Sequence, residues 1–453
     1  MLMLSDAARL AGGELTGGDR TILRVTTDSR TVRAGDLFVA LKGERFDAHD
    51  FVADALSRGA SAALVARGFD LPGAPLIAVD DTRLALGRLA AGWRRRFSVP
   101  LVGITGSNGK TTVKEMLAAI LRAKAGEEAV LATRGNLNND IGLPLTLLEL
   151  NDTHRYAVIE MGMNHTGEID YLTRIAAPDV ALVNNAMRAH LGEFDGVEGI
   201  ARAKGEIFAG LGPDGIAVIN LDDANAARFA EQNCARRRIG FGLAGADVTA
   251  RDVALAETSS RFVLVAPDGE ADVALPAAGE HNVRNALAAA ALAHALGLGV
   301  EDIAVGLAAF RGVKGRLMRI AAQRGVTLID DTYNANPDSM KAGLDVLARA
   351  SAPRVFVMGD IGELGDTAPA LHAEVGEHAR RVGIEVFVSL GATSRHAADA
   401  FGEGARHFES IEPLLAWLDG NLEPGSTVLV KGSRFMRMER VVEHLSGHRK
   451  EGV

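Results

Sequence analysis

The stretch from Leu101 to Lys124, LVGITGSNGKTTVKEMLAAILRAK, decides how the chain is read. Leu101 to Ile104 is a short apolar run of strand character. Gly106-Ser107-Asn108-Gly109-Lys110-Thr111-Thr112 breaks it. From Val113 the apolar residues fall at Val113, Met116, Leu117, Ile120 and Leu121, the spacing of one helix face. Strand, glycine-rich turn, Gly-Lys-Thr and helix make the layout of a phosphate-binding loop. The glycines let successive backbone N–H groups turn toward an anion, and the helix N-terminus adds partial positive charge. Lys110 is placed to reach the β- and γ-phosphates of a nucleotide, and Thr111 to offer its hydroxyl to Mg²⁺. The spacing departs from the common one, because Ile104 stands where a glycine is usual and Gly106 comes two residues later.

Outward from this loop, short apolar runs alternate with helical periods. Tyr156 to Ile159 ends on Glu160, Val180 to Val183 on Asn184, and Ile216 to Ile219 on Asn220, with His190 a little beyond the second. Such alternation predicts a parallel, doubly wound α/β sheet. Ligands bind beyond the carboxyl ends of its strands. Glu160 and His190 share that edge with the phosphate loop, and a carboxylate there suits Mg²⁺. From Ile239 to Leu275 the pattern turns to short alternating strands, an antiparallel flap. The expected domains are a small α/β unit at residues 1–82, a central phosphate-loop domain with its flap at 83–314, and a third domain at 315–453 resembling a dinucleotide fold. The third lacks Gly-x-Gly-x-x-Gly after its first strand, which argues against a nicotinamide cofactor. That strand ends on Asp330-Asp331-Thr332-Tyr333, where a carboxylate suits a ribose and a tyrosine suits a base.

At 453 residues, two or three domains are expected, and 47% hydrophobic with 24% charged residues is ordinary for a globular chain. No apolar run reaches membrane-spanning length, so no membrane insertion is expected. The first residues, MLMLSDAARLAGG, lack the basic start of a signal peptide and read as an amphipathic helix. The single cysteine, Cys234, excludes an internal disulfide and a cysteine-based zinc site. A cytoplasmic protein is the simplest reading. A net charge of −9 argues against a general nucleic-acid role.

Taken in order, Thr105 to Thr112, Glu160 to His165, Asn184 to His190, Ala203 to Phe208, His281 to Asn285, Gly315-Arg316, Asp330 to Pro337, Gly359 to Gly365 and Lys431 to Arg434 resemble the Mur ligases. These are the ATP-dependent amide ligases of peptidoglycan precursor synthesis, and the resemblance spans the whole chain. Its loop, Thr-Gly-x-x-Gly-Lys-Thr, accounts for the unusual spacing. The resemblance implies that ATP lies on Thr105, Gly106, Ser107, Asn108, Gly109, Lys110, Thr111 and Thr112. Asn282 and Asn285 would lie near the adenine, Arg316 near the phosphates, and Asp331, with Asp330 second, at the ribose. It implies two Mg²⁺ ions, one on Thr111 and Glu160 and one served by His190 and a carbamylated Lys204. Lys110, His190, Lys204 and Arg316 would be the catalytic set. Asp28, Ser29, Arg30, Lys42, Asp47 and His49 match the part that holds the uridine nucleotide. Asn136, Asn138 and Asn139 match the loop facing the muramoyl peptide.

The subtype signal is Gly359-Asp360-Ile361-Gly362-Glu363-Leu364-Gly365 in place of Asp-Asn-Pro-Arg. It implies UDP-N-acetylmuramoyl-tripeptide and D-alanyl-D-alanine as substrates of a monomeric ligase. Two other readings are a folylpolyglutamate synthase, which the distinct first domain with Asp28-Ser29-Arg30 argues against, and a non-catalytic nucleotide switch. A GTPase switch would want Asn-Lys-x-Asp, which does not occur.

Overall fold

The computed structural model describes residues 2–44, 46–189, 191–233 and 237–447. Three sheets organise them. The first has five strands in the order Glu14–Thr16, Leu76–Val79, Ala62–Ala66, Asp36–Val39, Arg24–Thr26. Its first pair is antiparallel and the others are parallel. The helix Thr82–Arg94 leaves this sheet from Asp81, whose carboxylate accepts from the backbone N–H groups of Arg83 and Leu84. That cap satisfies two of the donors a helix start leaves unpaired. Ala85, Leu86 and Leu89 pack into the first core and Ala90 into the second. The helix is therefore a strut shared by two cores.

The central sheet has six strands, all parallel, in the order Arg237–Phe241, Ile216–Asn220, Val180–Val183, Leu101–Thr105, Tyr156–Glu160, Val130–Ala132. One face is covered by the helices Lys110–Ala125, Glu280–Ala295 and Val300–Ala308, the other by Gly142–Leu147, Glu168–Ala176 and Gly196–Gly205. A parallel sheet buried on both faces uses continuous apolar strands rather than alternation. Val180–Val183 is such a strand, buried throughout. The antiparallel flap begins later than the sequence pattern places it. Its strands are Thr249–Leu255, Ser260–Ala266 and Gly269–Leu275. Arg237–Phe241 belongs instead to the parallel sheet, as its edge strand with Arg237 and Arg238 exposed. Those arginines hide the strand's membership, because an edge strand need not be apolar.

The third sheet has six strands in the order Met318–Ala321, Thr327–Asp331, Thr427–Lys431, Arg354–Gly359, Val386–Leu390, Ala405–Phe408. Only the first pair is antiparallel. The α/β architecture is as expected from the sequence. Among the described residues, no helix is long and apolar enough to cross a membrane.

Candidate active site

Leu101–Thr105 lies between Tyr156–Glu160 and Val180–Val183, so the phosphate loop opens where three strand ends meet. The helix Lys110–Ala125 starts from Gly109, which is left-handed at φ 80° and supplies no side-chain cap. Among the described residues, no side chain is seen bonded to its first N–H groups, which face the loop. A Cβ at Gly109 would stand 2.3 Å from Asn285 Oδ1 and 2.6 Å from Asn184 Nδ2, so only glycine fits. Lys110 folds back over the loop and donates from Nζ to the Gly106 carbonyl at 2.6 Å. Burial lowers its pKa most; Glu160 opposes this and Arg316 adds to it. Thr105 is fully buried and donates to the Met161 carbonyl at 2.9 Å, anchoring the strand end behind the loop.

Thr111 joins three elements. Its hydroxyl donates to Glu160 Oε2 at 2.8 Å and accepts from Arg316 Nη2 at 2.9 Å. Glu160, buried, also accepts from Asn138 Nδ2 at 2.8 Å. The Arg316 guanidinium lies 4.3 Å over the Tyr333 ring. Tyr333 therefore carries an arginine, where the sequence suggested a base. Asp331 is buried against Lys431, 2.6 Å from its Nζ, and accepts from the Leu317 N–H. Burial raises its pKa and Lys431 opposes that rise. Asp330 is committed to Thr332, through both its N–H and its hydroxyl, which leaves Asp331 facing the cavity.

Lys204 is 2% exposed and has no hydrogen-bond or ion-pair partner among the described residues. Burial, and then the positive charge of Lys110, hold its pKa well below the ordinary lysine value. His190 lies outside the described residues.

Asparagines link these parts, and the sequence reading singled out too few of them. Asn184 donates to the Asn108 carbonyl at 2.9 Å and to Asn285 Oδ1 at 3.1 Å, and Asn285 donates to Asn282 Oδ1 at 3.2 Å. Asn185 accepts from the Asn108 N–H at 2.9 Å. Asn336, from the third domain, donates to Asn108 Oδ1 at 2.7 Å. Asn184 and Asn185 stand at a strand end, the one signal that could have found them. Asn336 and Asn108 are 228 residues apart, and nothing in either neighbourhood announces the pairing.

Ser107, Asn108, Gly109, Lys110, Thr112, Asn136, Asn138, Asn139, Glu160, Lys204, Asn282, Asn285, Arg316 and Asp331 all line one cavity of about 1470 Å³. Asp28, Ser29, Arg30, Lys42, Asp47 and His49 are not among its lining residues; they lie on the first domain. Asp28 caps the turn Ser29–Thr31 and pairs with Arg30 at 2.8 Å. Asp47 caps Ala48–Phe51 and stands 3.4 Å from Lys42. His49 meets Asp47 through Nδ1 and accepts from the Ala66 N–H through Nε2, so both its nitrogens hold the loop in shape.

A cavity with a phosphate loop, buried lysines and a third-domain wall suits ATP-driven group transfer. The family comparisons agree. Residues 21–94 match the model described as Mur ligase family, catalytic domain. Residues 104–293 match the Mur ligase middle domain, and 315–434 the Mur ligase, glutamate ligase domain. The UDP-N-acetylmuramoyl-tripeptide–D-alanyl-D-alanine ligase of Escherichia coli is 45% identical over 98% of each chain. The solved UDP-N-acetylmuramoylalanyl-D-glutamyl-2,6-diaminopimelate–D-alanyl-D-alanyl ligase of Acinetobacter baumannii is 41% identical, with a TM-score of 0.88 over 97% of each chain. The MurF ligase of Thermotoga maritima, solved in complex with ADP, is 31% identical, with a TM-score of 0.83 over 94% of this chain and 97% of that one. The chain belongs to the Mur ligase family.

Proposed function

We propose that the protein is an ATP-dependent ligase joining D-alanyl-D-alanine to UDP-N-acetylmuramoyl-tripeptide, giving UDP-N-acetylmuramoyl-pentapeptide for peptidoglycan synthesis. The carrying observation is that the phosphate loop, the Asn136–Asn139 loop and the third-domain edge at Asp331 open into one cavity. The relatives' names supply the substrates, and the Acinetobacter name supplies 2,6-diaminopimelate as the third residue.

A carboxylate is a poor electrophile, so the tripeptide carboxylate first attacks the γ-phosphorus of ATP. The bond to the β–γ bridging oxygen breaks, ADP leaves and an acyl phosphate forms. The dipeptide amine then attacks the acyl carbon, loses a proton and expels phosphate. Such phosphoryl transfer needs positioning and charge neutralisation more than covalent help. The helix N-terminus at Lys110 and the Lys110 ammonium would meet the β- and γ-phosphates. Arg316, held by Tyr333 and Thr111, adds a fixed positive charge beside them.

Thr111 and Glu160 are the hard oxygen donors that would hold Mg²⁺. Mg²⁺ bound by few protein oxygens completes its shell with phosphate oxygens and water. When bound, the ion neutralises phosphate charge. Lys204 fits carbamylation: an uncharged amine attacks the carbon of CO₂, loses a proton and becomes an anion. That places a negative charge beside Lys110, at a position where burial and Lys110 disfavour a cation. Closure of the second and third domains would keep water from the acyl phosphate. ATP and a UDP-linked precursor fit a cytoplasmic enzyme, and one chain carrying every named group fits a monomer.

The test is phosphate release from ATP with UDP-N-acetylmuramoyl-tripeptide. Release that depends on both the tripeptide and D-alanyl-D-alanine is expected. Release independent of the dipeptide, or supported instead by a folate and glutamate, would refute the assignment.

A further inference from the structure

The cavity wall made by the boundary of the first and second domains carries charge that the nucleotide chemistry does not use. Arg83 and Asp140 both line the cavity there, with Tyr171 beside them. We propose that Arg83 and Asp140 read the free amino-acid end of the tripeptide's third side chain, Arg83 pairing with its carboxylate and Asp140 with its ammonium. The inference rests on the ligase reading above and assigns residues to its substrate.

Position supports it. Asp140 follows Asn138 by two residues, and Asn138 holds Glu160 at the phosphate loop. Two residues of chain span at most about 7 Å. In a diaminopimelyl residue the reacting carboxyl carbon and the carbon bearing the free amino group are five bonds apart, on the order of 6 Å when extended. A tripeptide carboxylate near Glu160 would thus carry its far amino-acid group to the neighbourhood of Asp140.

The pair is also free to change partners. Arg83 Nε lies 2.7 Å from Asp140 Oδ2, with the side chains 54% and 34% exposed. Ion pairs this exposed contribute roughly 0–1 kcal/mol, so a zwitterion can replace one pair by two at little cost. Two other charges of the cavity lining are committed. Glu168 accepts from the N–H groups of Asn164 and His165, and Arg188 is held by Asp338 and Glu374.

The backbone around the pair is built for an open wall. Asn139 Oδ1 accepts from the N–H groups of Ile141 and Gly142, which fixes the turn that presents Asp140. One helical turn beyond Arg83, a Cβ at Gly87 would stand 2.2 Å from the Tyr171 hydroxyl. Gly87 is therefore the space in which Tyr171 lies beside Arg83. A lysine side chain, having an ammonium alone, would answer Asp140 and leave Arg83 without a carboxylate.

The experiment compares kcat/KM for UDP-N-acetylmuramoyl-tripeptides ending in meso-diaminopimelate and in L-lysine. The parent enzyme is expected to prefer the diaminopimelate peptide by about tenfold or more, the scale of one charged hydrogen-bonded contact. Arg83→Met should collapse that ratio toward one, and Arg83→Lys should keep part of it. Asp140→Asn should lower both values, because both peptides carry the ammonium. A parent ratio near one, or Arg83→Met lowering both substrates equally with the ratio kept, overturns the assignment and leaves the pair as a strut. Turnover of neither peptide by the parent overturns the ligase reading, and this assignment with it.

Discussion

Lys204 shows how a residue's chemistry is set by what surrounds it. A lysine on a helix in Ala201-Arg202-Ala203-Lys204-Gly205 carries no local sign of function. Only the fold buries it and sets Lys110 near enough to lower its pKa further. Both influences favour the uncharged, nucleophilic amine that a carbamate requires. Lys204→Ala is expected to lose at least about a hundredfold in turnover, the scale of a lost electrostatic contact in an active site. Partial recovery is expected when acetate or another short carboxylate is added, and mass spectrometry of the native parent protein should show the added CO₂. Full activity in the variant would remove the carbamate from the scheme. Glu160 and Asp331 were more legible. Each is an acid at the end of an apolar strand, and that position needs no knowledge of the fold beyond its class. Asn184, Asn185 and Asn336 were less so, since an asparagine's partner is chosen by tertiary contact alone.

At the scale of elements, the phosphate loop was readable because three local signals agree: an apolar strand, glycines, and a helical period. The sequence pattern starts the flap at Ile239, and so misreads Ile239 to Phe241, because the signals of the strand Arg237–Phe241 conflict, with exposed arginines on a strand whose parallel partner is buried. Agreement among local signals is what a sequence alone can report. Within the loop, the sharpest demand falls on Gly109. Its left-handed backbone costs a non-glycine residue on the order of 1 kcal/mol, and the Cβ would press on Asn285 and Asn184. Those two side chains connect the loop to the helix Glu280–Ala295. Gly109→Ala should therefore displace the asparagine links as well as the loop. The expected result is a modest loss of stability in urea, about 1–3 kcal/mol, with a KM for ATP raised tenfold or more. A variant with the parent KM would show that the loop tolerates a side chain at this position.

At the scale of the whole molecule, the second and third domains are held together largely by polar contacts, with Leu191 packing against the cores of both. Asn336 bonds to Asn108, and the Gly192 N–H donates to the Glu363 carbonyl at 3.1 Å. The strongest link is Arg188, which pairs with Asp338 and, at 2.8 Å, with Glu374, itself also paired with Lys341. Asp338 lies in the first turn of the helix Pro337–Leu347, whose capping residue is Asn336, so one helix start is tied at two points to the phosphate-loop domain. These side chains are 24–36% exposed, so the link is reversible and screened by salt. That suits a contact that forms around ATP and opens to release product. Its pH dependence has a definite sign. Arg188 chiefly, with Lys341, lowers the Glu374 pKa from 4.5 to about 2, against the effect of burial. Lys341 shares a domain with Glu374, so the Arg188 share is what joining the domains adds, and joining favours loss of the proton. The contribution is fully present above about pH 4.5, where Glu374 is ionised even when unpaired, and it is lost as pH falls toward 2. In small-angle scattering with a bound ATP analogue, the radius of gyration should rise as pH is lowered from 5 to 3, within the range where the fold survives by circular dichroism. Arg188→Ala should already be expanded at pH 7, should raise the KM for ATP by about three- to tenfold, and should lose most of this pH response, the size expected for a partly exposed ion-pair cluster. High salt should move the parent enzyme toward the variant. If Arg188→Ala scatters as the parent does at every pH, the domains are held by the remaining contacts, among them Asn336–Asn108, Arg316–Thr111 and Arg319–Glu257, and the Arg188 cluster plays no part in closure.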